Sequence, residues 1–185
     1  RVVEPTVLKP GQTLDARLAD RSPAPDPLVA IFPRLTAVVQ PQATDGRARI
    51  AIVLDDMGPD RTALTRASGL PVAVTFAFLP YAANVRELAN SARESGRTVL
   101  LHMPMEPVGP ADPGPGALLV DQPPGEQIAR LDAALAKFDR LDGLNNHMGS
   151  RLTADRDAMD RIMARLAGRG LFFLDSRTTA ETAAA

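Results

Sequence analysis

The stretch Ile-Ala-Ile-Val-Leu-Asp-Asp-Met-Gly (residues 50–58) joins five consecutive apolar residues to two adjacent carboxylates. An apolar run that ends in acidic residues and glycine is typical of a buried strand followed by a polar loop. Two further runs have the same form: residues 98–101 lead into His102, and residues 171–174 lead into Asp175. The pattern predicts buried strands with polar side chains at their carboxyl ends.

Helical patterns separate these apolar runs. We expect strands at residues 50–54, 72–78, 98–101, 143–146 and 171–174, and helices at residues 84–95 and 126–140. Two more helices are predicted to begin at Asp60 and Thr153 and to stop at Gly69 and Gly168. Strands that alternate with helices form a parallel sheet through right-handed crossovers, so the predicted fold class is α/β. Ligands bind at the carboxyl ends of the strands in such sheets and barrels.

The composition excludes several classes of function. A chain of 185 residues with 45% hydrophobic content supports one domain with a sizeable core. A net charge of -1 and few aromatic residues make nucleic acid an unexpected partner. The chain has no cysteine, which excludes disulfides and zinc-thiolate sites. It has no apolar run of about eighteen residues, so we expect no transmembrane segment.

Proline content divides the chain near residue 46. Residues 1–45 contain seven of the seventeen prolines and show little periodicity. Such a segment is typical of an extended arm or linker. We therefore expect a proline-rich arm over residues 1–46 and an α/β domain over residues 47–185. Residues 103–124 are also rich in proline and glycine, and a connection of this length usually shapes a binding surface.

The only two histidines of the chain, His102 and His147, follow or end predicted strands, as does the pair Asp55-Asp56. Imidazole and carboxylate groups are ligands of divalent metals. Adjacent carboxylates diverge on an extended backbone, so one of them can bind a metal while the other acts as a base. The pattern predicts a metal-dependent hydrolytic site, with Glu106 as a second ligand or as an acceptor outside the ligand shell.

Each of these residues also has a purely structural interpretation. Asp55-Asp56 suits a turn and helix cap, and His102 suits a buried core position with a satisfied ring. The sequence Asn-Asn-His-Met-Gly (residues 145–149) is compatible with turn chemistry, and Asp-Ser-Arg-Thr (residues 175–178) with a turn that contains an ion pair.

Four motifs occur in order over about 130 residues: residues 50–58, His-Met-Pro-Met-Glu-Pro (102–107), Gly-Leu-Asn-Asn-His-Met-Gly-Ser (143–150) and Gly-Leu-Phe-Phe-Leu-Asp-Ser-Arg-Thr (170–178). Together they resemble the divergent polysaccharide deacetylase family. The resemblance implies a distorted (β/α) barrel of seven strands and a location in the periplasm or cell envelope. It also implies a relation to metal-dependent enzymes that remove N-acetyl or O-acetyl groups from glycans.

The resemblance also implies roles for individual residues. In the wider superfamily a double aspartate supplies a base and then a metal ligand, which makes Asp55 the base and Asp56 the ligand. The superfamily motif has two histidines four residues apart, whereas this chain has His102 and Glu106, so we expect His147 to replace the missing histidine. Family members continue past residue 178 with further strands and a late histidine that serves as general acid. We therefore expect a barrel that is truncated at its carboxyl end.

The predicted activity is metal-assisted amide or ester hydrolysis on glycans, with zinc as the expected ion. Asp175 and Arg151 are predicted to position the base or the sugar, and Asn145 and Asn146 to bond sugar hydroxyls. One alternative is an inactive envelope protein that binds a glycan or a partner in the same groove. Another is an intracellular domain that binds magnesium and a phosphorylated ligand, but no glycine-rich phosphate loop is present.

Deleting residues 1–45 should leave the midpoint of thermal unfolding nearly unchanged, because a proline-rich arm contributes little to a core. Thermal denaturation of the full and shortened chains tests this. A midpoint lowered by many degrees would mean that the apolar residues 31–39 stabilise the domain.

Overall fold

The computed structural model describes residues 51–184. The predicted arm, residues 1–46, lies outside the described residues. The strands are β1 (Val53–Met57), β2 (Thr75–Phe78), β3 (Val99–Met105), β4 (Gly143–Met148) and β5 (Phe172–Leu174). The helices are α1 (Arg61–Ser68), α2 (Val85–Glu94), α3 (Pro124–Leu135) and α4 (Arg156–Ala167). None of the helices in this described part combines the length and the apolar content that a membrane span requires.

The five strands form one parallel sheet in the order β1-β2-β3-β4-β5. A doubly wound sheet reverses its strand order at a switch point. Here the order follows the sequence without reversal, as it does in a (β/α) barrel. Within residues 51–184 the sheet is open, with β1 and β5 at its edges. The predicted α/β class is confirmed.

Three of the predicted strands end several residues before the observed strands do. The observed strands run to Met57 in β1, Met105 in β3 and Met148 in β4. The backbone ladder continues through the polar positions, where His102 pairs with Asn145 and Pro104 with His147 in parallel register. The aspartates and histidines therefore lie within the last residues of the strands and not in the loops after them. The polar side chains satisfy one another across the sheet, which the apolar pattern alone does not reveal.

Aspartates begin two of the helices, one of them, at Asp60, as predicted. Asp60 caps α1 by accepting a hydrogen bond from the Thr62 backbone nitrogen at 2.8 Å, and Asp155 caps α4 through Ala158 at 2.8 Å. Helix α4 begins at Arg156, so the prediction that Thr153 starts it is wrong. The Thr153 hydroxyl instead donates to the Gly149 carbonyl at 2.8 Å, within the turn that follows β4.

Glu106 fastens the long connection between β3 and α3. Its carboxylate accepts hydrogen bonds from the Val120 backbone nitrogen at 2.7 Å and from the guanidinium of Arg151. Its carbonyl accepts from the backbone nitrogens of Arg151 and Leu152 at 3.0 and 3.1 Å. One residue thus ties the connection to the turn after β4, and both segments lie at the carboxyl edge of the sheet.

Gly143 allows β5 to approach β4 closely. A Cβ atom added at Gly143 would lie 2.6 Å from the carbonyl oxygen of Phe172. Gly143→Ala should therefore lower the free energy of unfolding by about 1–3 kcal/mol, because the two strands would have to separate. Gly125→Ala is the matched control: position 125 lies in α3, has no neighbour within 4 Å, and should gain about 0.4–1 kcal/mol. Urea denaturation of both variants measures the difference. Equal stability of the two would contradict this packing.

Candidate metal centre

Three strands bring Asp56, His102 and His147 together at the carboxyl edge of the sheet. Asp56 lies on β1, His102 on β3 and His147 on β4. His147 pairs with Pro104, two residues beyond His102, so both imidazoles lie on the same face of the sheet. His102 is buried, and His147 is partly exposed. The site therefore has a closed inner side and an open outer side.

The three candidate ligand atoms form a nearly equilateral triangle. Asp56 Oδ1 lies 3.0 Å from His147 Nδ1 and 3.3 Å from His102 Nε2, and the two nitrogens are 3.2 Å apart. A tetrahedral ion with ligand bonds of about 2.0–2.1 Å has ligand–ligand edges of about 3.3–3.4 Å. The triangle matches one face of such a tetrahedron. These three residues fit a divalent metal and leave a fourth position for a small ligand.

A β-bulge directs Asp56 toward the histidines. The pairing of β1 with β2 shifts between Leu54 and Met57, where β1 contains one residue more than β2. Asp56 has φ 55°, in the left-handed region that costs an L-residue about 1–2 kcal/mol. The bulge changes the predicted geometry of the aspartate pair. Instead of diverging to opposite faces, Asp55 Oδ1 and Asp56 Oδ1 lie 3.7 and 3.3 Å from the two ring nitrogens of His102.

The buried amide of Asn145 determines which nitrogen of His102 carries the proton. Its Nδ2 donates to Asp55 Oδ1 at 2.8 Å, and its Oδ1 lies 2.9 Å from His102 Nδ1. A carboxylate only accepts hydrogen bonds, so the amide oxygen must face the imidazole, and Nδ1 must be the donor. The lone pair of His102 is therefore on Nε2, the atom that faces Asp56 and His147.

Burial favours the neutral form of this imidazole. It lowers the pKa of His102 below its ordinary value, against the opposing effect of the Asp55 carboxylate. A neutral ring with its free lone pair directed at two other ligand atoms is the form that binds a metal. The structural alternative, a satisfied core histidine, accounts for the Nδ1 bond but not for the position of Nε2.

The remaining predicted residues have other partners. Asn146 is buried, and its side chain donates to the Met148 carbonyl at 2.6 Å and accepts from the Ser176 backbone nitrogen at 2.8 Å. Asp175 accepts from the Arg177 backbone nitrogen at 2.8 Å, in a turn after β5. The substrate contacts of Asn145 and Asn146 and the catalytic role of Asp175 stay predictions.

Two of the predicted residues pair with each other away from the triangle of ligand atoms. The guanidinium of Arg151 contacts the carboxylates of Glu106 and Asp121, the latter at 3.0 Å. Glu106 therefore uses its carboxylate in the connection between β3 and α3, and Arg151 links that connection to the turn after β4. A contact between Arg151 and a substrate stays a prediction.

Ser176 and Thr178 contribute to the site, whereas the sequence analysis assigned them only to a turn. The Ser176 hydroxyl donates to the Asn146 carbonyl at 2.9 Å, and the Thr178 hydroxyl donates to the Met148 carbonyl at 3.0 Å. Asn145 Nδ2 also lies 3.4 Å from the Ser176 hydroxyl. The turn after β5 is thus fastened to the end of β4. The alternating hydroxyls at positions 176 and 178 are the only sequence signal for this contact.

Residues 52–185 match the family described as divergent polysaccharide deacetylase. This chain belongs to the divergent polysaccharide deacetylase family. The resemblance carried by the four sequence motifs is thereby confirmed. The matched range includes all five described strands and the residues that surround His102.

The curated relatives that match this chain are themselves uncharacterized. A Haemophilus influenzae protein is 34% identical over 138 residues, which cover 75% of this chain and 49% of the relative. The Escherichia coli protein YibQ is 32% identical over 156 residues, covering 84% of this chain and 48% of YibQ. The chain therefore spans about half the length of the curated relatives it matches.

A solved structure has a similar fold. The crystal structure of an uncharacterized protein from Agrobacterium tumefaciens C58 superposes with a TM-score of 0.69 at 33% identity. The match covers 71% of this chain and 55% of the Agrobacterium chain. The parallel α/β arrangement is thus shared with an experimentally determined structure.

Asn145→Ala should weaken metal affinity about 10- to 100-fold although Asn145 is not a ligand, because His102 would lose the bond that fixes its ring and tautomer. Asn146→Ala is the matched control, because Asn146 is also a buried amide, next to Asn145 in the chain, but its hydrogen bonds go to Met148 and Ser176. Zinc titration calorimetry on both folded variants measures the effect. Unchanged affinity in Asn145→Ala, or an equal loss in both variants, would refute the proposed role of Asn145.

The left-handed backbone of Asp56 makes a separate prediction about stability. Asp56→Gly and Asp56→Ala both remove the carboxylate, but only alanine retains the backbone strain. In metal-free protein the glycine variant should be more stable than the alanine variant by about 1 kcal/mol. At position 55 the backbone is not left-handed, so Asp55→Ala should be more stable than Asp55→Gly by about 0.5–1 kcal/mol. Chemical denaturation in the presence of a chelator compares the four variants. The same order at both positions would contradict the bulge geometry.

Proposed function

We propose that this protein is a metal-dependent hydrolase that removes N-acetyl or O-acetyl groups from glycans of the periplasm or cell envelope. The observation that carries the proposal is the triangle of Asp56, His102 and His147, with the carboxylate of Asp55 on the other side of His102. Membership of the divergent polysaccharide deacetylase family supports the acetylated glycan as substrate class. The envelope location rests on the family resemblance.

Two imidazole nitrogens and one carboxylate oxygen form a donor set that suits zinc among the divalent metals. When bound, such an ion supplies Lewis acidity toward a water molecule and toward the acetyl carbonyl. Asp56, His102 and His147 would hold it. The partly exposed side of His147 gives a substrate access to the fourth position.

Asp55 is the general base of the proposal. Asn145 donates a hydrogen bond to Asp55 Oδ1, while Asp55 Oδ2 has no hydrogen-bond donor among residues 51–184. The Asp55 side chain is 41% exposed, so this second oxygen is accessible to a water molecule. The carboxylate can take a proton from the water that attacks the acetyl carbon. The bond from that carbon to the sugar nitrogen or oxygen then breaks as the leaving atom takes a proton from the general acid, which the family resemblance places in a later strand, and acetate is released.

Asn145 couples the base to the ligand set. It bonds Asp55 and His102 at once, and its own position is fixed by burial within β4. These two bonds set the separation between the proposed base and one ligand. Such preorganisation is what an electrostatically assisted hydrolysis requires.

Asp55→Asn should lower turnover by about 10² or more while metal content stays at the wild-type level, because an amide keeps the shape but cannot accept the proton. Acetate release from acetylated glycans and elemental analysis are measured on the same full-length preparation. The full-length protein is required because the family resemblance places the general acid in a later strand.

The paired measurements separate the alternatives. Loss of metal in Asp55→Asn would make Asp55 a ligand and reverse the roles of the two aspartates. Wild-type protein that binds metal and glycan but releases no acetate from any acetylated substrate would refute the hydrolase and favour an inactive binding protein.

A further inference from the structure

An open groove of about 610 Å³ lies between the loop after β2, the start of α2 and helix α3. Pro80, Tyr81 and Ala82 line one side, and α3 lines the other. Three cationic side chains line it, and no acidic residue does; the cations are Arg86, Arg130 and Lys137. The groove therefore combines an aromatic and apolar wall with three cationic side chains.

The groove begins beside the candidate metal centre. The Leu79 backbone nitrogen donates to the Met57 carbonyl at 3.1 Å, so the loop after β2 adjoins the end of β1. Gly58, two residues after Asp56, packs so closely on this loop that an added Cβ would lie 2.6 Å from Ala82 Cβ. Tyr81, which lines the groove, precedes Ala82 in this loop. The groove therefore adjoins the segment that follows the ligand Asp56.

The cations of the groove are held in different ways. Arg86 pairs with Asp139 and donates to the Ala136 carbonyl at 2.7 Å, and Arg130 pairs with Glu126 at 2.8 Å. Lys137 has no ion-pair partner among residues 51–184. It is exposed and lies in the turn that follows α3. Two guanidinium groups are thus fixed in place, and one ammonium group is available to neutralise a bound anion.

We propose that this groove is a subsite for a negatively charged sugar residue adjacent to the acetylated one, so that the substrate is an anionic glycan. The inference rests on the proposed function, because it assigns the substrate class of the same site. The Lys137 ammonium group can pair with a carboxylate or a phosphate, and the Tyr81 wall suits the apolar face of a sugar ring. Either anion is compatible with the groove, and different probes distinguish them.

Equilibrium binding to the full-length protein tests the subsite without requiring turnover. The carboxylate probe is an oligogalacturonate, and its control is the same oligosaccharide after carboxyl reduction. The phosphate probe is glucose 6-phosphate, and its control is glucose. At low ionic strength at least one anionic probe should bind about tenfold or more tightly than its neutral control, with the preference decreasing as salt is added.

Lys137→Gln should reduce the affinity for the preferred anionic probe about two- to fivefold and leave binding of the neutral control unchanged. Arg66→Gln is the matched control, since Arg66 is an exposed cation in the last turn of α1 and is not among the residues that line the groove. Equal binding of the charged and neutral members of both pairs would overturn the subsite, as would an unchanged preference in Lys137→Gln. Acetate release from neutral acetylated glycans, measured separately, would in that case still support the hydrolase.

Discussion

The candidate site depends on one buried amide. Asn145 bonds the Asp55 carboxylate with its nitrogen and the His102 ring with its oxygen, at 2.8 and 2.9 Å. Because a carboxylate cannot donate, these two contacts have only one consistent orientation, and the lone pair of His102 must face Asp56 and His147. The amide therefore links the expected base to the expected ligands through two direct hydrogen bonds.

The backbone at Asp56 provides the second constraint. An undistorted strand would place Asp55 and Asp56 on opposite faces of the sheet. The bulge in β1 and the left-handed φ of Asp56 bring both carboxylates to the ring of His102. Strained residues of this kind persist where the surrounding structure determines them, and they concentrate at functional sites. The strain is consistent with a ligand whose position matters more than its contribution to stability.

The sequence predicts the α/β class, the five strands and the residue types of the site, because apolar runs and helix caps are local signals. It does not predict where the strands end. His102 and His147 interrupt apolar runs and therefore suggest loops, yet both continue the ladder of β3 and β4. The contact of Ser176 with Asn146 and the ion pair of Arg151 with Glu106 join segments that are distant in sequence, and nothing in the local pattern encodes them. The bulge at Asp56 likewise arises from the pairing of β1 with β2.

The most direct test of the account is a zinc-edge anomalous difference map from crystals of the full-length protein grown with zinc. The account predicts one strong peak about 2.0–2.2 Å from Asp56 Oδ1, His102 Nε2 and His147 Nδ1, with Asn145 still bonded to His102 Nδ1. A peak ligated by Glu106 instead of His147, or no peak among the three residues at saturating zinc, would contradict it.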